Sequence, residues 1–149
     1  GRRRGGQGQG MIPPGPASGG RAPDDKTLPA PDPAQVQVIR SYGPGRFLIS
    51  DREWRTPVLV TPRATTPWNV TRAEDLSLES LAALKVDPAP AEILVLGCGA
   101  RAIFVSAGLR AALKAAGLAL EVVDTGSACR IYNVLLAESR RVAAALIPL

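Results

Sequence analysis

The sequence contains no histidine, and this absence removes several classes of active site. Without imidazole the chain cannot build a Ser-His-Asp or Cys-His nucleophile pair, a His-ligated zinc site or a haem held by histidine. The two cysteines, Cys98 and Cys129, lie 31 positions apart and form no C-x-x-C motif. A disulfide scaffold and a zinc ribbon are therefore not credible, and we predict no metal and no cofactor.

Long apolar runs, aromatic residues and a strong charge imbalance are also missing. The longest apolar run, residues 142–149, is far too short to span a bilayer, so we expect membrane contact only through a partner. From residue 35 onward the net charge is +3, and the whole chain has only six aromatic residues that could stack on bases. We therefore predict no nucleic-acid binding.

Glycine and proline are concentrated at the start of the chain. Residues 1–34 hold 8 of the 15 glycines and 7 of the 14 prolines, a composition that cannot bury enough apolar surface to offset its ordering entropy. We predict an irregular, basic tail over residues 1–34, lying along another chain, and a single domain over residues 35–149. Because Gly1 precedes three arginines, the start is either a leader added before Met11 or an end left by removal of an Arg-rich targeting peptide.

The first half of the predicted domain has the two-residue period of β-strands. Residues 36–40 and 47–49 alternate between apolar and polar side chains on either side of a turn at 42–45. Residues 58–60 form a third apolar run, and Trp68 to Val70 a short further strand. This half predicts an antiparallel meander.

The second half alternates buried strands with amphipathic helices. A short helix is predicted from a cap at Ser77 to a stop at Pro88. The elements that follow are strand 93–96, a helix over 109–116 closed by Gly117, strand 120–123, a helix over 128–135 and strand 142–147. Because strand, helix, strand, helix, strand requires crossovers onto one sheet, the predicted fold is α/β with a mixed sheet.

Residues 97–102 match the G-x-G-x-x-A pattern of dinucleotide-binding turns, and Asp124 could serve as the ribose-binding acid. However, residues 103–105 have an extended pattern, so the next helix is expected to begin near Ser106. The backbone amides would then not converge on a pyrophosphate. We interpret the motif as a glycine turn at the end of a strand.

Residues 124–127, Asp-Thr-Gly-Ser, resemble the catalytic turn of aspartic proteases. Those proteases are all-β, whereas the residues after this turn have helical periodicity. We interpret Asp124 and Thr125 as the end of a strand and the cap of the next helix, where they satisfy orphan amides.

The cysteines leave two interpretations open. Cys129 lies early in a predicted helix beside Arg130, and both features favour a thiolate, although a buried structural thiol is the preferred interpretation. The alternative is a redox or anion site at the carboxyl edge of the sheet, formed by residues 97–101 and 124–130. Its candidate residues are Cys98, Arg101, Asp124, Thr125, Cys129 and Arg130.

An ordered set of segments resembles a known family. These segments are residues 47–49, 68–70, 92–99, 121–125, 128–135 and 138–147. The family consists of small domains, of unknown function in prokaryotes, and includes mitochondrial respiratory complex I assembly factor 3. The resemblance covers about residues 36–148. The sequence departs from the family pattern at Cys98 and Ile131, where threonine is common.

The resemblance implies a three-layer α/β domain with a mixed central sheet, in which N-terminal antiparallel strands precede a β-α-β-α-β unit. It also implies no established catalysis. By the same resemblance, we expect a non-catalytic assembly factor or accessory subunit that binds complex I subunits of the peripheral arm, on the matrix side of the mitochondrial inner membrane. The alternatives are a nucleotide- or anion-binding redox protein, and a bacterial relative located in the cytoplasm.

Overall fold

The computed structural model describes residues 36–149, so the predicted tail over residues 1–34 lies outside the described residues. The strands are β1 (Ile39–Gly43), β2 (Arg46–Ile49), β3 (Arg52–Trp54), β4 (Val58–Val60), β5 (Thr65–Pro67), β6 (Ile93–Gly97), β7 (Ala119–Val123) and β8 (Val142–Leu146). The helices are α1 (Ala107–Ala115), α2 (Thr125–Ala137) and two 3-10 helices, Ala73–Asp75 and Glu79–Val86. In this part of the chain, no helix combines the length and apolar character needed to cross a bilayer.

The strands form two sheets. The smaller sheet is antiparallel with the order β1-β2-β3, and the larger has the order β5-β4-β8-β6-β7. In the larger sheet β8, β6 and β7 are parallel, whereas β4 runs antiparallel to both β5 and β8. The predicted α/β fold with a mixed sheet is confirmed.

The predicted antiparallel meander is divided between the two sheets. β2 alternates half-buried and buried side chains, as a strand with one covered face does. All three residues of β4 are buried, so β4 requires protein on both of its faces. β4 pairs with β8 inside the larger sheet. β5 pairs with β4 and therefore belongs to the larger sheet as well.

Both faces of the larger sheet are covered. Because successive side chains point to opposite faces of a strand, Leu94 and Leu96 pack with α1 and the 3-10 helices, while Val95 packs with α2 and the smaller sheet. The larger sheet is thus the middle of three layers, as the family resemblance implies.

Two predicted elements differ from the structure. Trp68 to Val70 is not a strand, because the chain turns after β5 and the Trp68 indole N–H donates to the Ser80 carbonyl at 2.8 Å. The segment after Ser77 is a 3-10 helix. Leu78 at its N-cap and Leu81 and Leu84 within it are three positions apart, which matches the three residues per turn of that helix.

The predicted limits of α1 are confirmed. The Ser106 hydroxyl accepts a hydrogen bond from the Leu109 N–H at 3.1 Å, which caps the first turn. Gly117 follows the helix with φ +92°, a backbone conformation that glycine adopts without steric cost. Because α1 begins only after the Ser106 cap, the turn after β6 leads into a loop rather than directly into a helix.

Candidate functional site

The predicted site residues lie around the junction of the strand ends with α2. Cys98 directly follows β6, Asp124 connects β7 to α2, and Thr125 is the first residue of α2. Cys129 and Arg130 lie in the second turn of the same helix. Arg101 is exposed in the loop before α1 and makes no hydrogen bond or ion pair with the part of the chain that the structure describes, so it does not join this cluster.

Thr125 holds three segments together and is fully buried. Its hydroxyl donates to the Ile147 carbonyl at 2.6 Å and accepts from the Gly99 N–H at 2.7 Å. Its own backbone N–H donates to the Gly99 carbonyl at 2.9 Å. The hydroxyl therefore joins the turn after β6, the start of α2 and the end of β8, and it is enclosed rather than presented to a substrate.

Asp124 caps α2, as predicted. Its carboxylate accepts from the Ser127 backbone N–H at 3.0 Å and from the Ser127 hydroxyl at 2.6 Å. These two hydrogen bonds hold the pKa of Asp124 below its usual range, with a smaller contribution from the charge of Arg130. A carboxylate thus already occupies the helix end that would otherwise attract an anion.

The two glycines of the G-x-G pattern have packing and turn roles. A Cβ on Gly97 would lie 3.0 Å from the Ala128 Cβ and 3.0 Å from Leu146 Cδ2, so glycine allows α2 to lie close against the sheet. Gly99 has φ +95°. These geometries support the interpretation of the motif as a turn at the end of a strand.

The backbone amides of that turn are already bonded. The Cys98 N–H donates to the Val123 carbonyl at 3.0 Å, and the Gly99 N–H donates to Thr125. In dinucleotide sites such amides point at the pyrophosphate instead. The amides of Cys98 and Gly99 are therefore not available to a phosphate group.

Burial disfavours the thiolate form of both cysteines. Cys129 is 2% exposed, and burial raises its pKa to about 12 despite the nearby positive charge of Arg130. Burial also raises the pKa of the Cys98 thiol. Loss of hydration therefore outweighs the two sequence features that favour a thiolate at Cys129. Within residues 36–149, no group of three or more Cys, Asp or Glu side chains could hold a metal ion.

A second polar cluster lies beside the junction, and sequence reasoning missed it. Arg130 donates from Nη1 to the Tyr42 hydroxyl at 2.9 Å and from Nη2 to the Ser127 hydroxyl at 3.2 Å. A Cβ on Gly126 would lie 2.7 Å from the Tyr42 hydroxyl. Gly126, the third residue of the Asp-Thr-Gly pattern, therefore makes room for a side chain from β1.

One amide side chain of α2 also blocks part of the edge of β1. Asn133 accepts from the Ile39 N–H through Oδ1 at 3.1 Å and donates to the Ile39 carbonyl through Nδ2 at 2.7 Å. One amide side chain thus takes the place of a neighbouring strand. The sequence signal that could have indicated this role is an amide placed next to the buried Tyr132 on an otherwise apolar helix face.

Between β1 and α2 lies an open groove of about 280 Å³. We call it the β1–α2 groove, and its lining residues are Ile39, Arg40, Ser41, Tyr42, Cys129, Arg130 and Asn133. The junction and this groove share α2 but differ in chemistry. The junction encloses hydrogen-bonded groups, whereas the groove presents two arginines and two hydroxyls to solvent.

A family profile described as a protein of unknown function, DUF498/DUF598, matches residues 39–147. The chain belongs to this family. The family resemblance noted in the sequence is thereby confirmed.

Family members with curated names include vertebrate and bacterial proteins. The Danio rerio protein named NADH dehydrogenase (ubiquinone) 1 alpha subcomplex assembly factor 3 is 43% identical over 111 residues, which are 74% of this chain and 64% of that protein. The Homo sapiens protein of the same name is 32% identical over 115 residues, 77% of this chain and 62% of that protein. An uncharacterized Rhodobacter capsulatus protein is 39% identical over 111 residues, 74% of this chain and 84% of that protein. The chain therefore spans less than two thirds of the length of these two vertebrate relatives.

Several solved structures of bacterial proteins share the fold. A Bordetella parapertussis protein superposes with a TM-score of 0.71 at 28% identity, covering 79% of this chain and 100% of that one. A Rhodopseudomonas palustris protein has a TM-score of 0.67 at 32% identity, covering 87% and 93%. A Bordetella pertussis protein described as a Mth938-like domain has a TM-score of 0.67 at 27% identity, covering 83% and 92%.

Proposed function

We propose that this chain acts in the assembly of mitochondrial respiratory complex I, as a non-catalytic assembly factor or accessory subunit that binds other proteins. The observation that carries the proposal is the identity of 43% over 111 residues with a relative named for complex I assembly. The human relative bears the same name. Both relatives are longer than this chain, so the proposal concerns the part that they share with it.

The geometry of the junction offers no free group for turnover at that place, which is consistent with a non-catalytic role. The hydroxyl of Thr125 and the carboxylate of Asp124 are engaged in hydrogen bonds that hold the fold together. Burial raises the pKa of both thiols and so keeps them protonated near neutral pH. We therefore do not extend the proposal to a redox activity at the sheet edge.

One exposed aromatic side chain fits a protein-binding role. Phe104, in the loop before α1, is 88% exposed. Aromatic residues are enriched where proteins contact each other, since they bury a large area with few rotatable bonds. Phe104 is therefore a candidate contact residue for a partner.

As partners we propose complex I subunits of the matrix-facing peripheral arm, with the chain at the matrix side of the inner membrane and touching the membrane only through those partners. The bacterial cytoplasm is the alternative location. The Rhodobacter capsulatus relative supports that alternative, because it is a bacterial protein 39% identical over 111 residues.

The test is genetic and biochemical, in cells that produce the chain naturally. The gene is deleted, and complex I is measured by native gel electrophoresis and by NADH:ubiquinone oxidoreductase activity. We expect less assembled complex I, recovery when the full chain is restored, and co-migration of the chain with complex I subunits after extraction in mild detergent. Normal complex I in the deletion strain, together with migration of the chain only as a free protein, would contradict the proposal.

A further inference from the structure

We propose that the β1–α2 groove is a docking site for an acidic segment of a partner protein, with an Asp or Glu side chain of that segment seated on the Arg130 guanidinium. The inference rests on the proposed protein-binding function and specifies a surface for it.

The charge of the groove is unbalanced. Arg40 and Arg130 line it, and no carboxylate does. Within residues 36–149 neither arginine forms an ion pair; Arg40 Nε donates to the Ser50 carbonyl at 3.0 Å, and Arg130 donates to two hydroxyls. An acidic side chain entering the groove would supply the missing partner, and the long arginine side chains would form charge-assisted hydrogen bonds with it.

Asp124 does not neutralise Arg130. Asp124 feels the charge of Arg130, but its two oxygens accept hydrogen bonds from Ser127 and it forms no ion pair with the guanidinium. At the inner wall of the groove Cys129 is buried and protonated near neutral pH, so it adds no opposing negative charge.

Arg130 is held in place before any partner arrives. Hydroxyls of Tyr42 and Ser127 each accept one of its N–H groups, at 2.9 and 3.2 Å, and they fix the plane of the guanidinium. Its remaining N–H groups are unbonded within the described residues. Binding a carboxylate there would lose less side-chain entropy than binding to a freely rotating arginine.

The shape of the groove favours a short segment over a long added strand. Asn133 occupies both backbone groups of Ile39, which closes the first part of the β1 edge. β1 is an outer strand of its sheet, and only the part from Arg40 to Tyr42 lines the groove beyond that closure. A volume of about 280 Å³ admits a few side chains and a short length of backbone.

The experiment places a photo-reactive amino acid at Ser41, inside the groove, in the full chain produced in its natural cells. Cross-linked peptides are identified by mass spectrometry in three backgrounds. These are the otherwise unchanged chain, the double variant Arg40→Gln with Arg130→Gln, and the control Arg140→Gln. Arg140 is exposed beyond the end of α2 and lies outside the groove, so the control loses a positive charge without altering the groove.

We expect cross-links to protein segments with an Asp or Glu close to the attachment point. Their yield should fall at least tenfold in the double variant and remain unchanged in Arg140→Gln. A yield that does not depend on Arg40 and Arg130, cross-linked segments without acidic residues, or cross-links to nucleic acid, lipid or a phosphorylated segment would each overturn the proposal. The absence of any cross-link from the unchanged chain would overturn it as well.

A charge exchange guards against an effect of misfolding. Arg130→Glu should abolish the cross-link, and changing the identified acidic residue of the partner to Arg should restore it. Failure to restore it in a chain that melts like the unchanged protein would overturn the proposal.

The two proposals fail separately. Cross-links to a partner outside complex I would contradict only the assembly role, whereas unaltered complex I association without groove cross-links would contradict only the groove.

Discussion

The junction and the β1–α2 groove share the first turns of α2, and they use polar groups in opposite ways. At the junction Thr125 and Asp124 are bonded to groups of the same chain. In the groove two hydroxyls position Arg130, whose other N–H groups bond to nothing within residues 36–149. Groups whose hydrogen bonds are satisfied within the chain stabilise the fold, and charged groups left without a partner are the ones available for recognition. In this protein the residues with the most recognisable motifs belong to the first kind.

The largest expected effect comes from breaking the junction alone. Thr125→Val keeps the side-chain shape but leaves the buried Gly99 N–H and Ile147 carbonyl without the hydroxyl. We expect a loss of about 3 kcal/mol in the free energy of unfolding, since each buried unsatisfied group costs about 1–3 kcal/mol. Urea denaturation measures it. The control Thr125→Ser retains the hydroxyl and should lose clearly less, and equal losses in the two variants would contradict the role assigned to the hydroxyl.

The next effect tests the close contact between α2 and the sheet. Gly97→Ala would place a Cβ 3.0 Å from the Ala128 Cβ and from the Thr125 Cα, and the latter is a backbone atom that cannot move aside cheaply. We expect about 2 kcal/mol of destabilisation from overpacking, measured by the same denaturation. Gly108→Ala is the matched control, because a Cβ there meets nothing within 4 Å, and it should cost no stability.

Gly126→Ala is the substitution that reaches both regions. Its Cβ would lie 2.7 Å from the Tyr42 hydroxyl, which is the movable end of a side chain, so we expect only about 1 kcal/mol of destabilisation. The displaced Tyr42 would no longer hold Arg130. The yield of the cross-link from Ser41 should therefore fall although the protein stays folded. An unchanged cross-link in this variant would show that the Tyr42 contact is not needed to position Arg130.

The smallest effect concerns the charge at the start of α2. Asp124→Asn keeps a capping side chain and removes the negative charge, so we expect a loss of about 0.5 kcal/mol at neutral pH. The pKa of Asp124 is lowered in the folded protein from a usual value of 3.8, so its stabilising effect is fully present above that value. It is lost as the pH falls through the lower folded pKa. The stability difference between wild type and Asp124→Asn should therefore shrink below about pH 4 in acid titrations of unfolding, and a difference that persists in acid would contradict this reasoning.

Local signals in the sequence were sufficient for much of the fold. The start of α1 near Ser106, the cap at Asp124 and the stop at Gly117 were predicted because a helix end depends on neighbouring residues. The 3-10 helix was predicted as an ordinary helix, although the spacing of three between its leucines indicated its period. The candidate site was predicted less completely. Its motif residues were found, but their partners lie far away in the chain.

The groove could not be predicted, for a physical reason. Tyr42 and Arg130 are 88 positions apart, and Ile39 and Asn133 are 94 apart. A pattern of neighbouring side chains carries no information about which strand edge will meet which helix face. The same limit explains why β4 was assigned to the meander, since its partner β8 also lies far along the chain.

The position of β8 has a consequence for how the protein is made. β8 is later in the sequence than the other strands of the larger sheet, yet it lies between β4 and β6 and is buried along its whole length. Until the ribosome has released that strand, β5-β4 and β6-β7 have no common neighbour to join them. The middle layer therefore closes only after β8 has emerged, and until then the polypeptide remains without its finished sheet.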